Sequence, residues 1–326
     1  MERRYHGSTM ERAADRVQVD APLHAVPSVP ATPATPVRDT LRMARPKQWT
    51  KNVLVFVAPG AAGVLIHAGA ALHALAAFGI FCVAASAAYF VNDVADADAD
   101  RQHPGKRLRP VASGRVRPAV AVSGAVVLFA VALAGADLLA GWPLVVVIAT
   151  YAAITVSYSL WLKHEPVIEM TAVASGFVLR AIAGGVATHV PLSSWFLVVT
   201  SFSALLLVVG KRTGEHETLG QDRGLHRSAL EQYSPQFLRS ALTLSAAGAV
   251  TTYCLWAFDK TGLAHRGDHL VWIELSVAPV VTGVLYVLRL LDAGRGGTPS
   301  DLALENRTLQ VLVLVWAVLV GIGVYA

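Results

Sequence analysis

The chain has 326 residues, of which 54% are hydrophobic and 15% are charged, and its formal net charge at pH 7 is +5. A water-soluble domain of this length carries more charge and less apolar sequence. The composition therefore excludes an ordinary soluble enzyme and indicates a polytopic membrane protein.

The first forty residues differ in composition from the rest of the chain. They are polar, contain five prolines between Pro22 and Pro36, and show no apolar periodicity from which a core could form. We therefore expect residues 1–40 to be a disordered cytosolic tail and residues 41–326 to form one transmembrane domain. The tail has no apolar segment of the kind that secretory signals carry.

Apolar runs of about 20 residues follow the tail, and such runs predict transmembrane helices. The fold class is therefore all-α, a polytopic membrane protein with nine spans. The runs cover residues 52–68, 72–92, 118–139, 143–162, 167–187, 194–210, 237–257, 271–291 and 308–325. Pro59 and Gly60 interrupt the first run, which indicates a kinked or re-entrant helix.

The distribution of basic residues predicts the orientation of these spans. Of the 27 Lys and Arg residues, all except Arg180, Lys260 and Arg266 lie in the tail or in the loops on its side of the membrane. Because loops rich in Lys and Arg stay in the cytoplasm, we expect a cytoplasmic N-terminus and a C-terminus outside. Arg180 lies within the fifth span, where we expect it to tie helices together.

An acidic segment at the end of the second span is the main candidate for a functional site. Asn92, Asp93, Asp96 and Asp100 share one side of a helix, whereas Asp98 points away. Carboxylate and amide oxygens crowded in this way are predicted to bind Mg²⁺, which prefers such ligands. A solvated loop is the alternative, but ionisable residues inside a membrane helix are costly without a task.

Basic residues on the same side of the membrane are candidates for phosphate binding. Lys106, Arg107 and Arg109 follow the acidic segment, and Lys47 and Lys51 precede the first span. Guanidinium and ammonium groups bind phosphates, although the positive-inside rule alone also places basic residues here. Further candidates stand at the ends of spans four and six: Tyr158, Lys163, Lys211, Arg212 and Glu215.

Several common catalytic signatures are absent from the sequence. It contains no His-Glu-x-x-His pair, no Walker loop and no Gly-x-Ser-x-Gly elbow, and the first of these absences disfavours a zinc hydrolase. Nothing in the sequence indicates nucleic acid as a partner.

The pattern Asn92-Asp93-x-x-Asp96-x-x-x-Asp100 after the second of nine spans, with Arg45-Pro46 before the first, resembles the UbiA superfamily of intramembrane prenyltransferases. The resemblance covers about residues 40–326. It implies helices around a central cavity that opens sideways to lipid. It also implies that the acidic motif binds Mg²⁺ and a diphosphate under a cytosolic cap.

Within that superfamily, the chain resembles the branch of decaprenyl-phosphate phosphoribosyltransferases. Five blocks carry this resemblance, at residues 45–52, 92–110, 158–163, 176–185 and 210–212. The branch that uses prenyl diphosphates has a second Asp-rich cluster after span six, where this chain has Lys211 and Arg212.

The second resemblance implies a reaction and its substrates. A 5-phosphoribosyl group would pass from phosphoribosyl diphosphate to decaprenyl phosphate, for synthesis of a cell-wall arabinan precursor in actinobacteria. Asp93, Asp96, Lys106 and Arg107 are then expected to act on the departing diphosphate, and the other candidates to bind substrate.

Two other functions stay open. A conventional UbiA prenyltransferase would move a prenyl group from its diphosphate to an aromatic or other small acceptor, with the same acidic helix face. A transporter that binds a cation would need charges near the middle of the membrane, whereas the charges here lie mainly at one side. The sequence leaves a homo-oligomer open.

Overall fold

A computed structural model of the chain describes residues 36–218, 228–263, 271–293 and 305–326. Within these ranges every regular element is a helix, so the all-α prediction is confirmed. The expected disorder of residues 1–40 lies mostly outside the described residues. The described part begins with a helix at Pro36, before the boundary set at residue 40.

The longer helices follow one another through the described part of the chain. They are α1 (Pro36–Ala44), α2 (Ala68–Ala95), α3 (Pro118–Ala140), α4 (Trp142–Leu160), α5 (Ile168–Ala187), α6 (Ser194–Thr218), α7 (Pro235–Leu263), α8 (Val277–Asp292) and α9 (Arg307–Tyr325). Shorter α-helices cover Val57–Ala61, Ala97–Gln102, Ser228–Glu231 and Val271–Leu275. Short 3₁₀ helices cover Pro46–Phe56, Val64–Ile66, Lys106–Leu108 and Leu162–His164.

Eight helical stretches in the described residues are long and apolar enough to cross a membrane. They correspond to α2 through α9, with α8 extended by the short helix before it, and they match the second to ninth predicted spans. The exception is the first predicted span, at residues 52–68, which the structure breaks into short pieces.

The first span is irregular from its beginning. A 3₁₀ helix of 11 residues, Pro46–Phe56, leads into the short α-helix Val57–Ala61. Runs of 3₁₀ helix longer than about four residues are uncommon and often mark strain or a functional hinge. Pro59 and Gly60 lie inside this short α-helix, so the breaks fall on either side of them, at the change from 3₁₀ to α-helix after Phe56 and at the turn that follows Ala61.

Arg180 of α5 holds this irregular segment in place. Its buried guanidinium donates hydrogen bonds to Asn52 Oδ1 at 2.7 Å, to the Gly176 carbonyl at 2.6 Å and to the Tyr151 hydroxyl at 3.2 Å. These contacts join α5, α4 and the first segment, as expected for a tie within the bundle. They also satisfy the polar side chain of Asn52, which would be costly in lipid.

Two of the hydrophobic cores that include residues of α5 lie at its two ends. One core joins α5 to α2, α3 and α4, with Phe81 and Ile148 fully buried in it. The other joins α5 to the later helices, with Leu230 and Leu238 fully buried. Because α5 contributes to both cores, its two ends are fixed relative to the helices on either side.

The length of α2 brings its acidic end to the edge of the bundle. Its 28 residues rise about 42 Å at ~1.5 Å per residue. The hydrocarbon layer of a membrane is only about 30 Å thick. The last turns of α2, which include Asn92 and Asp93, therefore stand where an apolar helix meets polar surroundings.

Gly184 permits the closest backbone approach in the first half of the bundle. A Cβ atom at this position would lie 1.8 Å from the carbonyl oxygen of Val55. The 3₁₀ segment therefore rests directly on the backbone of α5, and a larger residue at position 184 would push it away.

We expect Gly184→Ala to lower the free energy of unfolding by about 1–3 kcal/mol, because the added methyl group overpacks a backbone contact. The thermal unfolding midpoint of purified protein in detergent measures the effect. Gly283→Ala is the matched control, since nothing lies within 4 Å of a Cβ atom there. Equal midpoints for the two variants would contradict the close approach.

Candidate active site

The charged residues of the candidate site gather at one end of the bundle. Because consecutive helices run in opposite directions, the ends of α2, α4 and α6 lie near the start of α5. We call this region the charged end. Four predicted stretches of polar sequence contribute to it, and direct contacts join them in two clusters.

The first cluster forms around two buried carboxylates. The side chain of Asp93 is only 2% exposed and pairs with Arg45, which precedes the 3₁₀ segment. Arg109 Nη1 lies 3.6 Å from Asp93 Oδ1 and 2.6 Å from Asp100 Oδ2. One guanidinium therefore serves two buried carboxylates that belong to different turns of the acidic segment.

Asp96 extends this cluster toward α4. Its Oδ1 accepts a hydrogen bond from Lys163 Nζ at 2.5 Å, and its Oδ2 accepts one from Asn92 Nδ2 at 2.8 Å. Ser159 in the last turn of α4 donates to Asn92 Oδ1 at 3.5 Å. The end of α2 is thus tied to the connection between α4 and α5.

These residues form what we call the acid–base cluster. Its members are Arg45, Asn92, Asp93, Asp96, Asp100, Arg109 and Lys163. Asp98 lies outside it, with a side chain that is 92% exposed and paired with Arg101. The prediction that Asp98 points away from the other acidic residues is confirmed.

The oxygen atoms in the acid–base cluster suit a divalent cation by their chemistry. One amide and three carboxylates stand at the end of α2 and in the short helix Ala97–Gln102 that follows, so the single helix expected for them is broken at Asp96. Hard cations prefer such ligands. Among the described residues, however, no three His, Cys, Asp or Glu side chains are arranged as a metal-binding group. The carboxylates turn instead toward the basic side chains of Arg45, Arg109 and Lys163.

The second cluster is centred on Arg212 and joins α5 to α6. Arg212 is buried, and its Nε and Nη2 each lie 2.6 Å from a carboxylate oxygen of Glu169. Its Nη1 lies 2.7 Å from Glu215, which also pairs with Lys211 at 3.7 Å. We call this group the Arg212 cluster. Its buried charge is shared between two carboxylates.

Tyr233 completes the buried side of the Arg212 cluster. Its hydroxyl accepts a hydrogen bond from the backbone N–H of Val167 at 2.8 Å and lies 3.5 Å from Glu169. Burial raises the pKa of the Tyr233 phenol. The hydroxyl therefore keeps its proton and can donate a hydrogen bond to Glu169. Tyr158 lies near Arg212 and interacts with it electrostatically.

The remaining predicted phosphate ligands lie outside both clusters. In the described part of the chain, no carboxylate lies within ion-pair distance of Lys47, Lys106 or Arg107. Lys47, Lys51 and Arg107 are exposed, and Lys106 is half-buried. Lys47, Lys106 and Arg107 therefore differ from the bases that carboxylates of the described residues neutralise.

Sequence reasoning missed two members of these clusters. From the sequence, Arg45 is interpreted as an anchor at the membrane surface. Nothing in its spacing indicates that it pairs with Asp93. Glu169 carried a detectable signal, because it lies close to the start of an apolar helix, where an ionisable residue requires a partner. The same rule had already drawn attention to Arg180.

The fold and the two clusters define a class of protein: a helical membrane protein with a charged site, rich in carboxylates and bases, at one end of its bundle. The chain belongs to the UbiA prenyltransferase family, whose sequence model matches residues 53–307. The resemblance inferred from the acidic motif is thereby confirmed.

Curated relatives resemble the chain over most of its length. It is 42% identical over 292 residues to the decaprenyl-phosphate phosphoribosyltransferase of Mycobacterium tuberculosis. That alignment covers 88% of this chain and 95% of the relative. It is 41% identical to the decaprenyl-phosphate phosphoribosyltransferase of Corynebacterium glutamicum, over 87% of this chain and 86% of that relative. The resemblance to this branch is also confirmed.

A solved structure shares the fold at low sequence identity. It is a UbiA homolog from Archaeoglobus fulgidus bound to GPP and Mg²⁺, with a TM-score of 0.64 and 18% identity. The alignment covers 87% of this chain and 98% of that protein. This likeness supports the arrangement of the helices.

We expect Arg212→Gln to lower the free energy of unfolding by about 3–5 kcal/mol, because Glu169 would be left buried without its charged partner. Lys211→Gln is the matched control, since the Lys211 side chain is 40% exposed and its ion pair is long. Thermal unfolding of both variants in the same detergent measures the difference. Similar midpoints would show that the Glu169 pair does not stabilise the bundle.

Proposed function

We propose that this chain transfers 5-phosphoribose from phosphoribosyl diphosphate to decaprenyl phosphate and releases diphosphate. The observation that carries the proposal is the acid–base cluster with unmatched bases beside it at the same end of the bundle. Such a surface offers ligands for a cation and for several phosphates together. The names of the curated relatives support the same reaction.

Mg²⁺ is the cation that we propose for the acid–base cluster. Asn92, Asp93, Asp96 and Asp100 would hold it, and they fit because they offer hard oxygen donors, two of which already approach a single Arg109 nitrogen atom. When bound, Mg²⁺ lowers the negative charge of a diphosphate leaving group. The Mg²⁺ bound to the Archaeoglobus fulgidus homolog supports this choice.

The unmatched bases are the first candidates for the substrate phosphates. We assign Lys106 and Arg107 to the departing diphosphate, because they follow the acidic segment directly and are not neutralised by a described carboxylate. Lys47 is proposed for the remaining phosphates on the same ground. Lys51, four residues later in the chain, and Tyr158, which lies near Arg212, are proposed for them by position alone. Lys163, Arg109, Lys211 and Arg212 are engaged with carboxylates, so substrate binding by these four residues would require an exchange of partners.

The proposed reaction exchanges one bond at C1 of the ribose. An oxygen atom of the lipid phosphate forms a bond to C1 while the bond between C1 and the diphosphate oxygen breaks, and diphosphate leaves with the electron pair. Positive charge develops on the sugar ring, as in glycoside hydrolysis. No general base is required because the attacking phosphate is already ionised. The task of Lys106 and Arg107 is to stabilise the growing charge on the leaving group.

The proposed orientation makes both substrates accessible. The charged end faces the cytoplasm, where a soluble sugar donor is available, and the C-terminus lies outside. The isoprenoid chain of the acceptor lies along the apolar helices within the membrane. The product is proposed to supply cell-wall arabinan synthesis, as the resemblance to this branch implies.

We expect Asp96→Asn to reduce phosphoribosyl transfer roughly 10²-fold or more, which corresponds to a loss of at least about 2.7 kcal/mol of transition-state stabilisation. Purified protein is incubated with radiolabelled phosphoribosyl diphosphate, decaprenyl phosphate and Mg²⁺, and the label in the lipid phase is counted. Asp98→Asn is the matched control, because the Asp98 carboxylate lies on the same segment but is exposed. Near-normal transfer by Asp96→Asn would refute the proposed cation site.

The same assay separates the proposed function from the conventional prenyltransferase. Wild-type protein should transfer label to lipid only when Mg²⁺ and decaprenyl phosphate are both present. Absence of transfer, together with turnover of a prenyl diphosphate and a small acceptor, would favour the conventional reaction.

We expect Arg109→Gln to increase the affinity for a divalent cation in the absence of substrate, because Asp93 and Asp100 would lose the guanidinium that now neutralises them. Mn²⁺ binding, followed by electron paramagnetic resonance, measures this affinity without any turnover. Arg101→Gln is the control, since its partner is the exposed Asp98. Weaker binding by Arg109→Gln would mean that Arg109 orients the carboxylates for the cation instead of competing with it.

A further inference from the structure

A concave surface of about 850 Å³ lies between α1 and the first turn of the 3₁₀ segment. We call it the basic concavity. Its lining residues are Arg38, Leu41, Arg42, Arg45, Pro46, Lys47 and Gln48. Four of these seven side chains are cationic and none is acidic, so the surface suits an anion.

Contacts with the rest of the bundle fix the α1 wall of the basic concavity. Asp39 is buried and pairs with Arg115 at 3.1 Å, and Met43, one turn later, is only 1% exposed. Trp49 Nε1 and Ser86 Oγ each donate to the carbonyl oxygen of Ala44 at 3.2 Å. The inner face and the last turn of α1 are therefore anchored, and its outer face has a defined position.

The outer face of α1 carries unmatched charge. Arg38 and Arg42 are four residues apart, so their side chains project from the same side of the helix and repel each other. Both are exposed, and neither forms an ion pair with a described residue. Lys47, across the concavity, is also exposed and forms no ion pair with a described residue. An anion held between these three side chains would remove the repulsion.

Arg45 connects the basic concavity to the acid–base cluster. Its side chain lines the concavity and also pairs with the buried carboxylate of Asp93. An anion in the concavity would therefore lie beside the carboxylates assigned to the donor diphosphate. A transfer between two phosphorylated substrates requires their phosphate groups to be bound close together. Sites on either side of Arg45 would bind them in this way.

We propose that the basic concavity binds the phosphate group of the lipid acceptor, through Arg38, Arg42 and Lys47. This inference rests on the proposed function. A phosphate carried by a lipid fits better than the 5-phosphate of the sugar because Leu41, which is 54% exposed, gives the surface an apolar part. The concavity also lies directly before the segment that begins the membrane domain, so we expect it near the level of the lipid phosphates.

The test uses the full-length protein in lipid nanodiscs and a double variant, Arg38→Gln with Arg42→Gln. Its matched control is Arg101→Gln with Arg239→Gln, which removes two exposed positive charges outside the concavity. Binding of fluorescent polyprenyl phosphate is measured without donor, and KM is then measured for each substrate separately. A second variant, Arg38→Lys with Arg42→Lys, retains the charge, and thermal unfolding checks that each protein is folded.

We expect the glutamine double variant to bind polyprenyl phosphate about tenfold more weakly and to raise the acceptor KM to the same extent, since charged contacts to phosphate are strong. The donor KM should change less than twofold, and the lysine variant should recover most of the affinity. A rise in donor KM alone would overturn the proposal and indicate that the concavity binds the sugar 5-phosphate. Unchanged binding and KM values would overturn it as well.

Two further outcomes separate this proposal from related ones. If the loss of affinity appears only in nanodiscs that contain anionic phospholipid, the concavity recognises the membrane surface in general and the proposal is wrong. If the wild-type protein transfers no phosphoribose but its binding of polyprenyl phosphate depends on Arg38 and Arg42, the concavity assignment stands and the proposed reaction fails.

Discussion

The pairing of Asp93 with two arginines is the interaction on which the charged end depends. A carboxylate that is 2% exposed cannot remain ionised in a membrane protein without compensation, and Arg45 and Arg109 supply it. Arg45 precedes the first segment, Asp93 lies in the last turn of α2, and Arg109 belongs to the connection that follows. A single buried charge thus draws three separate parts of the chain to one point.

A buried ion pair also constrains the Arg212 cluster, between α5 and α6. Glu169 and Arg212 bury a bidentate pair between α5 and α6, and Glu215 takes the remaining donor. Because Arg212 is buried, the charged residues after span six are not simply a solvated helix end. The pair stabilises the frame around the site, whereas unmatched bases such as Lys106 and Arg107 are available to substrates.

The sequence predicted the regular parts of the fold and the local parts of the site. Apolar length was sufficient for α2 through α9, and helical spacing correctly separated Asp98 from its acidic neighbours. Contacts between residues far apart in the sequence were not predicted. Arg45 and Asp93, for example, are 48 positions apart, and no local pattern links them. An irregular first span was foreseen but not its 3₁₀ segment, which contacts Arg180 and Gly184 of α5, far away in the sequence.

Charge balance within the acid–base cluster has a consequence for the order of binding. Its three carboxylates are matched by Arg45, Arg109 and Lys163, so the cluster is close to neutral before any ligand arrives. A divalent cation alone would leave excess positive charge in a partly buried site, and a diphosphate alone would leave excess negative charge. For the proposed reaction, the cation and the donor diphosphate are therefore favoured as a joint ligand, since together they disturb the balance least.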